Sequence, residues 1–190
     1  MWAIGNGESR KTIDIDSLSG LKIGCNALCR DFIVDHLICV DRRMVKEALE
    51  TKTKKIYTRS DWINAFSNYP QVTTVPQLPY KGKERPDDPF QWGSGPYAVL
   101  LGAKLFETTK LIGFDLYSQT KNINNVYKGT TNYNNKDYRA VDPRYWIYQI
   151  GKVFELYHRR DFIIYQESNW KLPEAWNYPN VMVDNISNIV

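Results

Sequence analysis

The residues best suited to chemistry lie in four short stretches. Gly5-Asn6-Gly7-Glu8-Ser9 follows a short apolar run, Met1–Ile4, and leads into a polar segment with the composition of a helix start. Glycines let a chain turn sharply and let a ligand approach the backbone closely. A helix N-terminus adds free N–H groups and the positive end of a dipole. A phosphate or carboxylate is the natural occupant of such a turn. Asn26 ends a second apolar run, Ser94 and Gly95 open an apolar helical stretch, and Asp115 ends another run with Tyr117 just beyond it. Asp41, Arg42 and Arg59 follow runs of the same kind.

Acid–base and metal chemistry find less support. The chain has only two histidines, His36 at the start of an apolar run and His158 at the end of a predicted helix. Cys25, Cys29, His36 and Cys39 can be written as a zinc set, but their spacing matches no familiar zinc motif. Cys39 lies inside the run Leu37–Val40, so buried free thiols are the expected state and no metal is assigned.

The elements that must position these residues follow from apolar periodicity. Strands are expected at the opening run, Lys22–Asn26, His36–Asp41, Lys54–Thr58, Gln71–Val75, Lys110–Asp115 and, as the last clear one, Asp161–Gln166. Helices are expected at Arg42–Thr51, at Gly95–Phe106, which is apolar almost all round and therefore buried, and from Asp142-Pro143 onward. There Asp is the expected cap and Pro the first helical residue. Ser60 and Asp61 are the expected caps of a short helix through Phe66. Pro76–Trp92 holds four prolines and many charges, which reads as an insertion or lid. Leu116–Val141 is polar and rich in Asn and Tyr, and a loop this long is usually functional or partly disordered. Strands alternating with helices predict a mostly parallel sheet with helices on both faces. Ligands of such sheets bind beyond the carboxyl ends of the strands.

Totals set wide bounds. A chain of 190 residues, 43% hydrophobic and 24% charged, is enough for one globular domain. The net charge of +4 is too small to argue for a nucleic-acid partner. No run reaches the ~18 apolar residues of a membrane span, and Met1–Ile4 is too short for a signal peptide, so no transmembrane segment and a cytoplasmic setting are expected. Three cysteines imply no complete disulfide framework.

Taken together, the GNGES turn, Cys25-Asn26 sixteen positions after Ser9, Gly93-Ser94-Gly95-Pro96-Tyr97 and Leu111-Ile112-Gly113-Phe114-Asp115-Leu116-Tyr117 resemble the bacterial sialyltransferases of glycosyltransferase family 42 and the related motility-accessory-factor proteins. The resemblance covers about residues 1–32 and 92–117. With the alternating pattern above, it agrees with a single Rossmann-like α/β domain over 1–190, in which composition marks the proline-rich insertion at about 76–92 and the polar loop at about 117–141. It implies a glycosyltransferase-like protein that binds a nucleotide sugar, CMP-activated in the family, and passes the sugar to an acceptor without a divalent ion or other cofactor. Carried over by position, Gly5, Asn6, Gly7 and Ser9 approach the donor phosphate or base. Asn26 bonds the nucleotide, Ser94 and Gly95 face ribose or sugar carboxylate, and Asp115 stands at the strand end. Tyr117 donates to the leaving phosphate, with Tyr127 a looser second donor. The family has Pro at the position of Glu8, and a catalytic His in a segment where this chain has none; Asp142 or Asp137 would have to replace it. The alternative implied is a catalytically degenerate relative acting as a ligand-binding or interaction protein.

Overall fold

The computed structural model describes residues 1–118 and 120–189; Gln119, inside the predicted polar loop, and Val190, the last position of the predicted domain, lie outside the described residues. Eight strands form one sheet: β1 Trp2–Ile4, β2 Lys22–Cys25, β3 His36–Ile38, β4 Ile56–Thr58, β5 Val72–Thr74, β6 Thr108–Ile112, β7 Asp161–Gln166 and β8 Val181–Asn185. Their order is β5-β4-β3-β2-β1-β6-β7-β8 and every pair is parallel. The architecture is Rossmann-like α/β, as the alternating pattern predicts. The chain steps outward from β1 to β5, then returns to β6 on the other side of β1. Strand order therefore reverses between β1 and β6, where Trp2–Ile4 pairs with Lys110–Ile112.

Side-chain alternation splits the interior into two cores. Ala3, Ile23, Ile38 and Leu111 face one layer, while Trp2, Ile4, Leu37 and Ile112 face the other. Helices α2 (Ser94–Leu105) and α3 (Arg144–Leu156) cover the first face. Every residue of α2 from Pro96 to Ala103 is buried, as expected of a helix that is apolar all round. On the second face lies α1 (Arg42–Leu49), whose Met44, Val45 and Ala48 are buried. Short 3₁₀ turns and the polar loop complete that layer, with Ala27, Leu28, Phe66 and Tyr127 buried in it.

Several predicted elements differ from what forms. The segment after the opening turn makes one 3₁₀ turn, Glu8–Thr12, not an α-helix. The Ile63–Phe66 segment is also 3₁₀, with Trp62 at its N-cap; Asp61 pairs with Arg59 instead of capping. Helix α3 begins one residue later than expected, at Arg144, with Pro143 at the N-cap and the Asp142 carboxylate accepting from the Arg144 N–H at 3.0 Å. Strand β8 was not expected: as an edge strand it keeps Met182 and Val183 exposed, so it lacks a continuous buried run.

The two irregular segments are tied down by hydrogen bonds to the rest of the fold. Trp92 Nε1 and Gln149 Nε2 both donate to the Pro86 carbonyl, and Tyr97 Oη donates to that of Pro89, which holds the proline-rich segment over α2 and α3. The polar loop is pinned to the opening turn: the Val126 N–H donates to the Asn6 carbonyl at 2.9 Å. Arg30 donates to Thr130 Oγ1 and the Thr131 carbonyl while pairing with Glu47. No helix among the described residues is long and apolar enough to cross a membrane.

Candidate functional site

A crevice opens beyond the carboxyl ends of β1, β2 and β6, at the strand-order reversal, which is where ligands of open parallel sheets bind. Its cavity is about 270 Å³. Gly5, Asn6, Gly7, Asn26, Ser94, Gly95 and Asp115 all line it, so seven residues predicted from separate stretches meet in one place.

Their individual roles differ from those predicted. The glycines of the opening turn make room for the chain itself. A Cβ on Gly5 would run into the Gly113 carbonyl, and one on Gly7 into the Asp115 carboxylate. The Gly5 N–H donates to the Ile112 carbonyl at 2.8 Å and the Gly7 N–H to the Gly113 carbonyl at 2.9 Å. Asn6 is also committed inward: Nδ2 donates to the Cys25 carbonyl at 3.0 Å and Oδ1 accepts from Arg10 at 3.3 Å. Ser9 donates through N–H and Oγ to the two oxygens of Asp115, and Gln166 Nε2 adds a third bond at 3.2 Å. Ser9 is therefore outside the crevice, and Asp115 is the buried post around which the turn is fixed.

The groups left for a ligand sit on the other wall. Asn26 has a left-handed backbone, φ +48°, and its Oδ1 accepts from Ser94 Oγ at 2.8 Å. Its Nδ2 has no hydrogen-bond partner among the described residues. Ser94 and Gly95 are the first two residues of α2, so their N–H groups precede any intrahelical acceptor. Pro96 has no N–H to compete. Asn125 and Trp146 close the rim. Among the described residues no Lys, Arg or His lines the cavity. The amino end of α2 contributes positive potential there, set against the Asp115 carboxylate on the same lining.

Cys25 also lines the crevice, but burial pushes its thiol up to about 12, so it stays a neutral thiol and a poor nucleophile. Cys29 and Cys39 are buried free thiols, and His36 Nδ1 is 3.2 Å from Tyr57 Oη. Among the described residues no group of three His, Cys, Asp or Glu side chains is arranged to hold a metal ion. Asp14-Ile15-Asp16, an acidic pair at a metal-ligand spacing, precedes β2 at the amino end of the sheet, with Asp14 Oδ1 accepting from the Asp16 N–H.

Three predicted catalytic side chains are not in this crevice. Tyr127 is buried in the second core, donating to Asp31 Oδ2 at 2.6 Å and accepting from Arg10 at 3.2 Å. Burial is the first cause that drives its phenol well above its ordinary range, so it stays protonated. Asp142 is exposed and paired with Arg144 at 2.6 Å. Tyr117 lies on a neighbouring cleft together with Ser9. Asp41, Arg42 and Arg59 are likewise outside it; Asp41 caps α1 by accepting from the Arg43 N–H. Neither histidine lines the crevice.

Arg10 is the important residue that the sequence reading missed. It is 4% exposed, and its Nε donates to the Gly5 carbonyl at 2.8 Å. One guanidinium thus ties Gly5, Asn6 and Tyr127 together. The only signal was an Arg following the turn, which reads as a solvated helix residue. No family model, curated protein or solved structure matches the chain.

Proposed function

We propose that the crevice is the donor pocket of a glycosyltransferase-like protein that binds a nucleotide sugar, a CMP-activated one being the donor its sequence motifs imply. The observation that carries this reading is the Asn26–Ser94 hydrogen bond. It joins residues 68 positions apart, from two separate motifs, and leaves Asn26 Nδ2 beside two free N–H groups of α2. An amide donor next to a helix amino end suits a polar base or ribose edge with a phosphate beside it. The volume of about 270 Å³ is below that of a drug-sized pocket, so it takes a nucleoside-sized group while the sugar extends outward.

In this reading the acceptor hydroxyl oxygen bonds to the anomeric carbon as the anomeric carbon–phosphate oxygen bond breaks, the hydroxyl proton passes to the leaving phosphate or to water, and the leaving CMP phosphate gains negative charge. Fixed N–H donors aimed at that charge lower the barrier, and removing one such donor typically costs about a hundredfold or more in rate. Ser94 and Gly95 supply those donors here, and Asn26 orients the nucleotide.

A second reading rests on the absence of histidine from the crevice: a degenerate relative that binds the nucleotide without turning it over. Thermal shift against CMP, CMP-sialic acid, UDP, UDP-sugars and GDP-sugars tests the binding common to both. Stabilisation by CMP that is lost in Asn26→Ala supports the pocket; no shift with any nucleotide overturns it. Slow hydrolysis of CMP-sialic acid then separates an enzyme from a binder.

A further inference from the structure

A cleft of about 680 Å³ lies on the other side of the same wall. Asp115 and Asn124 line both cavities. The partition is built by a three-residue turn in which the Tyr117 N–H donates to the Asp115 carbonyl at 2.6 Å across Leu116, whose φ is +61°. A branched side chain in that region is strained. The turn sends consecutive residues to opposite sides: Leu116 lines the crevice and Tyr117 the cleft. Trp170 braces it, with Nε1 donating to the same Asp115 carbonyl at 2.8 Å, and also lines the cleft.

The cleft therefore has two aromatic walls, Tyr117 and Trp170, and Tyr117 is 42% exposed. Between them stand amides and carboxylates, including Asn169, Glu8 and Glu174. Its ammonium groups, Lys128 and Lys171, are outnumbered by carboxylates, and Lys128 Nζ already pairs with Glu8 at 3.0 Å. An anionic ligand would meet net negative charge there. An uncharged sugar suits it: the C–H face of the ring packs on an aromatic ring, and the hydroxyls donate to carboxylate and amide oxygens.

We propose that this cleft is a binding subsite for an uncharged carbohydrate. Its role as the acceptor side of the site rests on the donor reading above; sugar binding itself does not.

The test is saturation-transfer NMR on the full chain with neutral methyl glycosides (glucoside, galactoside, N-acetylglucosaminide and lactoside) and with glucuronate, each with and without CMP. At least one neutral glycoside is expected to bind, and glucuronate is not. Tyr117→Ala is expected to weaken glycoside binding about tenfold, the loss of one stacked ring. Asn169→Ala weakens it as well and guards against a fold defect in the first variant, while Lys46→Ala, exposed on α1 and lining neither cavity, leaves it unchanged. Absence of binding by every neutral glycoside, stronger binding of glucuronate, or indifference to both cleft variants overturns the proposal. Glycoside binding without any CMP binding removes the donor reading and the acceptor role but leaves the sugar subsite standing. CMP binding without glycoside binding does the reverse.

Discussion

Gly5 and Gly113 face each other across the β1–β6 junction so closely that neither tolerates a side chain. A Cβ on Gly113 would lie 2.7 Å from the Gly5 carbonyl oxygen, and Gly113 has φ +68°. At the strand-order reversal these two backbones are thus packed directly against each other.

Gly5→Ala is expected to destabilise the protein by about 2 kcal/mol, in the range of overpacked interiors. For a chain of this size that is a fall in Tm of about 4–8 °C. Differential scanning calorimetry measures it. An unchanged Tm would mean that β1 and β6 separate freely and that the crevice walls are not fixed by this contact.

Asp115 collects two bonds from Ser9 and one from Gln166 while itself buried. Asp115→Ala leaves those donors without an acceptor, and bonds to a charged group contribute about 1.5–3 kcal/mol each. A loss of about 3 kcal/mol in urea unfolding is expected, together with weaker nucleotide binding as the opening turn loosens. Full stability in the variant would show that Ser9 and Gln166 find other acceptors.

For Tyr127 the expected result separates structure from catalysis. Tyr127→Phe removes the link between Asp31 and Arg10 and should cost about 1.5 kcal/mol. Nucleotide affinity and any turnover should stay unchanged, because the phenol lies in the second core. Lost turnover at unchanged stability would return Tyr127 to the reaction.

Acid should release the polar loop first. The Glu47 carboxyl is held below its ordinary value by its hydrogen bond from Arg30, against the cost of burial, with Asn132 adding a second donor. A carboxyl whose folded value is depressed contributes stability above its unfolded value and loses it as pH falls through the folded one. Stability should therefore decline as pH drops below about 4.5, the ordinary Glu value. Glu47→Gln should flatten that part of the curve. Urea unfolding at stepped pH checks it, and identical profiles would exclude the pair as a contributor.

Much of the scaffold was legible because burial on both faces leaves continuous apolar runs such as His36–Val40 and Leu111–Ile112. Strand β8 escaped because an edge strand needs no such run, and Met182 and Val183 face solvent. The carboxyl-end rule gathered Asn6, Asn26 and Asp115, with Ser94 and Gly95 beside them, into one place, but Asp41, Arg42 and Arg59, gathered by the same rule, lie outside the crevice. What the sequence hid was direction. A glycine that admits a ligand and a glycine that admits a neighbouring strand read alike, so the packing of Gly5 on Gly113 and of Gly7 on Asp115 was not legible. Tyr127 and Asp142 were chosen for their chemistry and position in the chain, and the fold places one in the second core and the other at the surface, both away from the crevice. Arg10 was invisible because no spacing rule foretells a guanidinium buried beneath a turn.

The central place of β1 also governs how the protein is made. Trp2 pairs with Lys22 on one side and with Lys110 on the other. The half-sheet from β1 to β5 closes through short crossovers, but the other wall awaits a strand more than a hundred residues downstream. Non-local pairing of this kind is slow, and domains emerge from the ribosome amino end first. During synthesis β1 therefore exposes an unpaired edge until β6 arrives, and the crevice comes into being only at that late step.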